Sequence, residues 1–334
     1  MRVTGYAAGI LALALAGLPA LTTVKVAAGQ DKSQTKQDQT PQSGQTLKSA
    51  VTVVNVFATV RDKRHEIVSE LTQSDFKILE DGQEQKVAFF SKEVNLPITL
   101  GILMDTSGSM DRILHAEQDA ASRFVRRVMR KNDEAMVISF DLDVNLLADF
   151  TQDSAVLERA IRRTVINAPA SGIGGTAGTI PTQGGGTNLY DAIYLAAHDE
   201  LASEAGRKAI ILLSDAEDTG SRLKINDAIE AAQRADTVIH VLLIRDFGGS
   251  QGYGPGVASK MASETGGRVI DVHNEKTLEK AFDEITDELR YQYVLGYYPT
   301  NEKRDGTFRK IQVELQNHSD VKVLARKGYY APRR

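Results

Sequence analysis

The sequence predicts an α/β fold, a doubly wound, mostly parallel sheet inserted into a smaller discontinuous β-sandwich, and three observations carry this. Between residues 98 and 290, apolar runs of strand length alternate with stretches whose apolar residues recur at helical spacing. That alternation is the pattern of a parallel sheet covered on both faces. Before and after this region the chain switches to β-type runs. Neither flanking group alone offers enough strands for a stable sandwich, whereas together they reach about seven.

Composition bounds the reading. The 334 residues are 42% hydrophobic and 25% charged, with 40 Lys and Arg against 44 Asp and Glu, a formal charge of -4. Such values exclude a disordered tail, a collagen-like fibre and a multipass membrane protein, and the length predicts about two domains. The chain has no Cys and no Trp. Disulfide scaffolds, zinc ribbons and Cys catalysis are therefore excluded, and any metal site must use oxygen or histidine.

The first segment, residues 1–28, reads as a signal peptide. Arg2 precedes an apolar run over residues 6–21, and Val26-Ala27-Ala28 before Gly29 has the small residues of a cleavage site. Export to the periplasm or beyond is the expectation. The alternative is an uncleaved anchor, since residues 6–28 just reach bilayer length; the short apolar core and Pro19 favour cleavage. No Cys follows the run, so lipoprotein attachment is excluded. Residues 29–49, rich in Gln, Thr and Ser, read as a disordered linker.

Residues 50–95 form the first part of the expected sandwich, with runs at 51–57, 76–79 and 86–90. Asp81-Gly82 between the last two predicts a hairpin. Residues 96–291 form the α/β domain. Its first strand is 98–104, and the helix after it places Ile113, Leu114, Ala121, Phe124, Val125, Val128 and Met129 on one face. Further strands are expected at 135–140, 209–213, 238–244 and 269–272, and helices at 155–165, 189–201, 225–234 and 277–289. Residues 292–334 close the sandwich with runs at 293–298, 308–315 and 321–325.

Candidate chemistry gathers at the C-terminal ends of the α/β strands, where such folds place ligands. Asp105-Thr106-Ser107-Gly108-Ser109 puts three short oxygen side chains at alternating positions on one loop. A hard divalent cation needs such a set. Helix capping is the plainer reading, but capping uses one of the three, not all. Two further oxygen clusters fall on the same sheet edge: Thr187-Asn188 through Asp191, and Ser214-Asp215-Ala216-Glu217-Asp218.

This three-part pattern resembles the von Willebrand factor type A (VWA) family and its metal-ion-dependent adhesion site, marked by D-x-S-x-S, a distant Thr and a distant Asp. The resemblance covers about residues 97–290. It assigns Asp105, Ser107 and Ser109 to the first motif, Thr187 to the second and Asp215 to the third. It implies a bound Mg2+, with Mn2+ or Ca2+ as alternatives, contacted by hydroxyls and partly through water. The ion would keep an open position for an Asp or Glu of a protein or peptide partner. The flanks, with Leu71-Thr72, Asp75-Phe76, Glu80-Asp81-Gly82, the run from Tyr293 to Pro299 and Lys327-Gly328-Tyr329-Tyr330, resemble bacterial exported "VWFA-related" proteins of the Acidobacteria type. One departure stands out: the family's third motif usually reads Asp-Gly, and here it is Asp215-Ala216. If that position needs φ > 0, Ala costs about 1 kcal/mol.

Competing chemistries are weaker. Asp141-Leu142-Asp143-Val144-Asn145 resembles a phosphatase nucleophile motif but lacks its Thr and follows the second strand; a solvated turn into an edge strand is the better reading. Gly248-Gly249-Ser250-Gln251-Gly252 fits G-x-S-x-G with His273 or His318 as bases, yet reads as a loop, not a strand-to-helix elbow. No phosphate-binding loop or H-E-x-x-H occurs, so no enzyme is expected. Residues 168–186 are Gly-rich and either border the ion site or touch nothing; Thr176, Thr179 and Thr182 compete with Thr187 as ligands, and Thr187 is favoured by its helix. Residues 299–334 hold nine Lys and Arg against four Asp and Glu, a pattern of solvated strands more than an anionic-surface site. Nucleic-acid binding has no motif behind it. Two functions stay open: a cation-dependent module that holds an acidic residue, and an envelope scaffold whose ion mainly stabilises the fold.

Overall fold

Alternating apolar runs become alternating strands and helices in the computed structural model, which describes residues 53–93, 96–166, 186–245, 253–316, 318 and 320–333. The expected signal segment and linker, the G-x-S-x-G stretch and nearly all of the Gly-rich loop lie outside those residues. In chain order the strands and helices are β1 (Val54–Asp62), β2 (Phe76–Glu80), β3 (Gln83–Gln85), β4 (Val87–Glu93), β5 (Ile98–Asp105), α1 (Leu114–Val128), β6 (Glu134–Phe140), β7 (Val144–Thr151), α2 (Ser154–Arg162) and α3 (Leu189–Tyr194). They continue with β8 (Arg207–Ser214), α4 (Ile225–Arg234), β9 (Thr237–Ile244), α5 (Gly254–Thr265), β10 (Val269–Val272), α6 (Glu275–Arg290), β11 (Gln292–Tyr297), β12 (Phe308–Leu315), β13 (Val321–Ala325) and β14 (Gly328–Tyr330).

The central sheet has six strands in the order β10-β9-β8-β5-β6-β7. All neighbours are parallel except the edge pair β6 and β7. Successive side chains of a strand point to opposite faces, so each strand feeds two cores. Leu100, Ile102 and Met104 of β5 pack with Ala121, Phe124, Leu157 and Phe282 on one face, beneath α1, α2 and α6. Leu103 of β5, Met136 and Ile138 of β6, and Ile210 and Leu212 of β8 pack with Ala192, Ala228 and Ala258 on the other, beneath α3, α4 and α5. Each fully buried Ile, Leu or Phe contributes about 1.5–3 kcal/mol. Among the described residues no helix is long and apolar enough to cross a membrane.

Two antiparallel four-stranded sheets, β13-β1-β11-β4 and β14-β12-β2-β3, make the sandwich. Each draws strands from both ends of the chain: β1 pairs with β11 and β13, and β2 with β12. Val56, Ala58, Ile78, Leu295, Tyr297 and Ile311 fill the space between them. The α/β unit leaves the sandwich after β4 and returns at β11, and these two strands pair with each other, Tyr293 opposite Lys92. An insertion with adjacent ends of this kind can be added without opening its host sheet.

Two details depart from the sequence-based expectation and one agrees with it. The hairpin at Asp81-Gly82, with φ of 49° and 81°, joins β2 to the short β3, whereas β4 crosses to the other sheet after Lys86. Val87 and the partly buried Phe90 thereby reach the sandwich core. β7 forms the edge strand expected after the Asp141 turn. α5 was unanticipated because Gly254-Pro255-Gly256 reads as a loop, although Pro in the first turn of a helix is well tolerated.

Candidate metal centre

β5 lies at the middle of the sheet, with β6 on one side and β8 on the other. In open α/β sheets a crevice forms outside such a strand's carboxyl end, and Asp105 is the last residue of β5. Its carboxylate is fully buried. One oxygen accepts the Ser107 N–H at 2.9 Å and the other the Ser214 hydroxyl at 2.6 Å. Burial pushes the Asp105 pKa up to about 6 against the pull of those donors, and the nearby charge of Asp215 adds to the rise. Ser107 and Ser109 flank the start of a short turn, Gly108–Met110, with their hydroxyls 3.0 Å apart at the surface.

Asp215 follows β8, whose Leu213 sits beside Met104 of β5. One of its oxygens accepts the Glu217 N–H at 3.1 Å. Ala216 is buried with φ of 59°, the left-handed region, and its N–H donates to the Ser214 hydroxyl at 2.9 Å. The condition set by the sequence is therefore met: this position needs the backbone that Gly adopts freely, and Ala bears a cost of about 1 kcal/mol. A β-carbon added at Gly254, the first residue of α5, would overlap the carbonyl oxygen of Asp215. The glycine that reads as a loop signal thus lets a helix approach this turn.

Thr187 is buried just ahead of α3. Its N–H donates to the Thr219 hydroxyl at 2.9 Å, and its carbonyl accepts the N–H groups of Thr219 and Gly220 at 3.1 Å each. Thr187 is therefore stitched to the loop after Asp215. On its other side the Asn188 N–H donates to the Asp141 carbonyl at 2.8 Å, and Asp141 accepts the Thr106 hydroxyl at 2.7 Å. Asp141 holds loops together and is buried, so the turn read as solvated is packed at this residue. Hydrogen bonds thus link the three motif loops at one sheet edge: β5 to β8 through Asp105 and Ser214, β8 to α3 through Thr219 and Thr187.

Two residues that the motif leaves out belong to this account. Ser214 orients Asp105. Glu117, in the first turn of α1, is fully buried, and neither of its carboxyl oxygens has a hydrogen-bond partner among the described residues. Burial drives its pKa well up, and the charges of Asp105 and Asp215 add to that. A sequence signal existed: Glu117 stands three residues after Leu114 and four before Ala121, on the apolar stripe of α1.

The donor set fits a hard cation. Asp105 and Asp215 bring negative charge that bears on each other, and three hydroxyls bring neutral oxygens. Among the described residues no three or more His, Asp or Glu side chains are placed to grip one ion by themselves, so the hydroxyls are needed. A separate cleft of about 740 Å3 lies away from these loops, lined in part by Arg61, Lys63, Arg245 and Arg268. Those four cations are paired with Glu288, Asp320, Asp271 and Glu284, while Lys322 and Lys327 line the same cleft.

Comparison with known proteins bears on the α/β region. A search of curated proteins returned no match. Among solved structures, the chain is similar to a von Willebrand factor type A protein from Catenulispora acidiphila, at 14% identity over 80% of this chain and 75% of that one, TM-score 0.47. It is also similar to the conserved hypothetical protein BatB from Bacteroides thetaiotaomicron, at 19% identity over 57% and 98%, TM-score 0.43. A third is proximal thread matrix protein 1 from the mussel byssus with a zinc-occupied MIDAS motif, at 13% identity over 60% and 49%, TM-score 0.45. Residues 100–217, which include Asp105, Ser107, Ser109, Thr187 and Asp215, match the family model described as von Willebrand factor type A domain, and the chain carries a domain of that type.

Proposed function

We propose that this chain is an exported, non-enzymatic binding protein whose VWA domain holds an acidic residue of a protein or peptide partner through a divalent cation. The observation that carries the reading is the meeting of the D-x-S-x-S, Thr and Asp loops at the end of β5, around a buried carboxylate with no cationic partner among the described residues. Asp105, Ser107, Ser109, Thr187 and Asp215 would hold the cation, Mg2+ in the first place and Mn2+ or Ca2+ as alternatives. When bound, the cation supplies a positive charge with room for an outside oxygen ligand. The chain's own residues do the rest. Ser214 and the Ser107 N–H fix the direction of Asp105, the loop after β8 presents Asp215, and the exposed Ser107 and Ser109 hydroxyls face the partner's side.

Export rests on the N-terminal apolar run and its small-residue end. The flanking motifs of the two sandwich halves support membership of the bacterial exported "VWFA-related" group. A second reading has one observation in its favour: a buried, uncompensated Asp105 means that a cation would stabilise the fold whether or not a partner exists. Thermal melts in Mg2+ and in EDTA, run beside a pull-down from envelope extract under the same two conditions, separate the readings. Retention of a partner in Mg2+ that is lost in EDTA and in Asp105→Ala supports capture. Ion-dependent stability without ion-dependent retention leaves the scaffold. Retention that survives both EDTA and Asp105→Ala contradicts the proposal.

A further inference from the structure

Glu117 is a carboxyl side chain in a place where packing alone would have put Leu or Met. It lies on the apolar face of α1, among Ile113, Leu114, Ala120 and Ala121, with no exposed surface. An acidic residue in the first turn of a helix usually serves the helix start, by accepting a free backbone N–H or by facing the dipole from solvent. Glu117 does neither: its own N–H is bonded to the Ile113 carbonyl at 2.9 Å, and both carboxyl oxygens are without partners among the described residues. Buried polar groups without partners are rare in folded proteins and call for an explanation, an absent ion among them. The ionised groups that bear on Glu117 are Asp105 and Asp215, both acidic. Helical side chains lean toward the helix N-terminus, and the N-terminus of α1 is the end joined to the Asp105–Ser109 loop.

Resting on the reading of a cation site at the end of β5, we propose that Glu117 is an outer carboxylate of that site, strengthening its hold on a divalent cation from behind Asp105 and Asp215. Glu117 is not itself a direct ligand, since no three carboxylates here converge on one ion. Its charge reaches the cation across a buried and weakly screened interior, or through an intervening water. The position is costly without a cation and useful with one. That explains why a carboxyl stands on an apolar stripe.

The test is calorimetric titration of the full chain with MgCl2 and with MnCl2, comparing wild type, Glu117→Gln and Asp105→Ala, beside melts of each protein in EDTA. Glu117→Gln keeps the shape and removes the charge. Its affinity for both cations should fall about tenfold or more, the usual effect of losing a group behind the ligands. In EDTA its melting temperature should equal or exceed that of wild type, because an orphaned acid has been removed. Glu117→Leu should behave in the same direction, with a larger gain in EDTA. Wild-type cation affinity in a folded Glu117→Gln protein, while Asp105→Ala has lost binding, overturns the proposal and leaves the site reading intact. A lowered melting temperature of Glu117→Gln in EDTA also counts against it, by showing that the carboxyl supports the ion-free fold. Absence of cation binding by folded wild type overturns both.

Discussion

Asp105 concentrates the energetics of the site in one residue. Its folded pKa of about 6 lies above that of an unfolded Asp, so the folded chain without a cation binds the extra proton between about pH 4 and 6. This contribution to stability is present at low pH and is lost as pH rises through 6. A cation reverses the balance by favouring the ionised form. The rise in melting temperature produced by saturating Mg2+ should therefore be larger at pH 7 than at pH 5, and Asp105→Asn should show little rise at either; equal rises at both pH values would contradict this. Ala216 gives a second residue-scale test. Ala216→Gly removes left-handed strain and a buried methyl together, so stability should stay within about 1 kcal/mol of wild type. Ala216→Val, β-branched at positive φ in a filled core, should cost about 2–4 kcal/mol by denaturant titration.

Among the elements, the loops and α5 set the site's shape and the sandwich strands set its frame. Gly254→Ala forces α5 away from the Asp215 turn. Cation affinity should fall in this variant while the circular dichroism stays wild-type; unchanged affinity would separate α5 from the site. In the sandwich, Glu80 of β2 accepts the hydroxyls of Tyr297 from β11 at 2.7 Å and Tyr329 from β14 at 3.0 Å, and faces Arg309 of β12 at 3.4 Å. Burial and the Glu80 charge hold both tyrosine hydroxyls in their neutral, donating form. Glu80→Ala would leave Arg309 buried without its carboxylate and should cost about 3–5 kcal/mol, read as a lower denaturant midpoint.

These elements also show what the sequence can and cannot reveal. Apolar periodicity exposed β5, β6, β8, β9 and α4 because burial on one or both faces writes itself into spacing. Two of the three motif loops were legible because they sit where a strand ends, at Asp105 and after Ser214, whereas Thr187 stands just ahead of a helix. α5 was hidden by Gly254 and Gly256, of which Gly254 serves close approach to the Asp215 carbonyl. β3 and β14 were too short for periodicity to register. Glu117 was visible as an acid on an apolar stripe, but its lack of partners is a property of three-dimensional packing alone.

At the scale of the whole molecule, sandwich and VWA domain are joined by buried charge and not by a flexible linker. Arg61 of β1 pairs with Glu288 of α6 at 2.6 Å, Arg268 reaches the same carboxylate, and His240 of β9 lies 3.3 Å from it. Arg326 at the end of β13 pairs with Asp236 and donates to the Asn55 carbonyl at 2.6 Å. Glu288→Leu should lower the melting temperature of the entire chain in one transition, because the buried Arg61 loses its carboxylate, Arg268 keeps only Glu284, and both units feel it. Two separated transitions would show that the units unfold independently. Among the described residues no sandwich strand pairs with the central sheet that carries Asp105. The most direct test of the cation site is a crystal of the full chain grown or soaked in Mn2+ and examined by anomalous scattering. The account predicts a peak about 2.0–2.5 Å from oxygens of Ser107, Ser109 and Thr187, with Asp105 and Asp215 beside it. A folded crystal with no peak at the end of β5, or with Mn2+ bound only elsewhere, would contradict it.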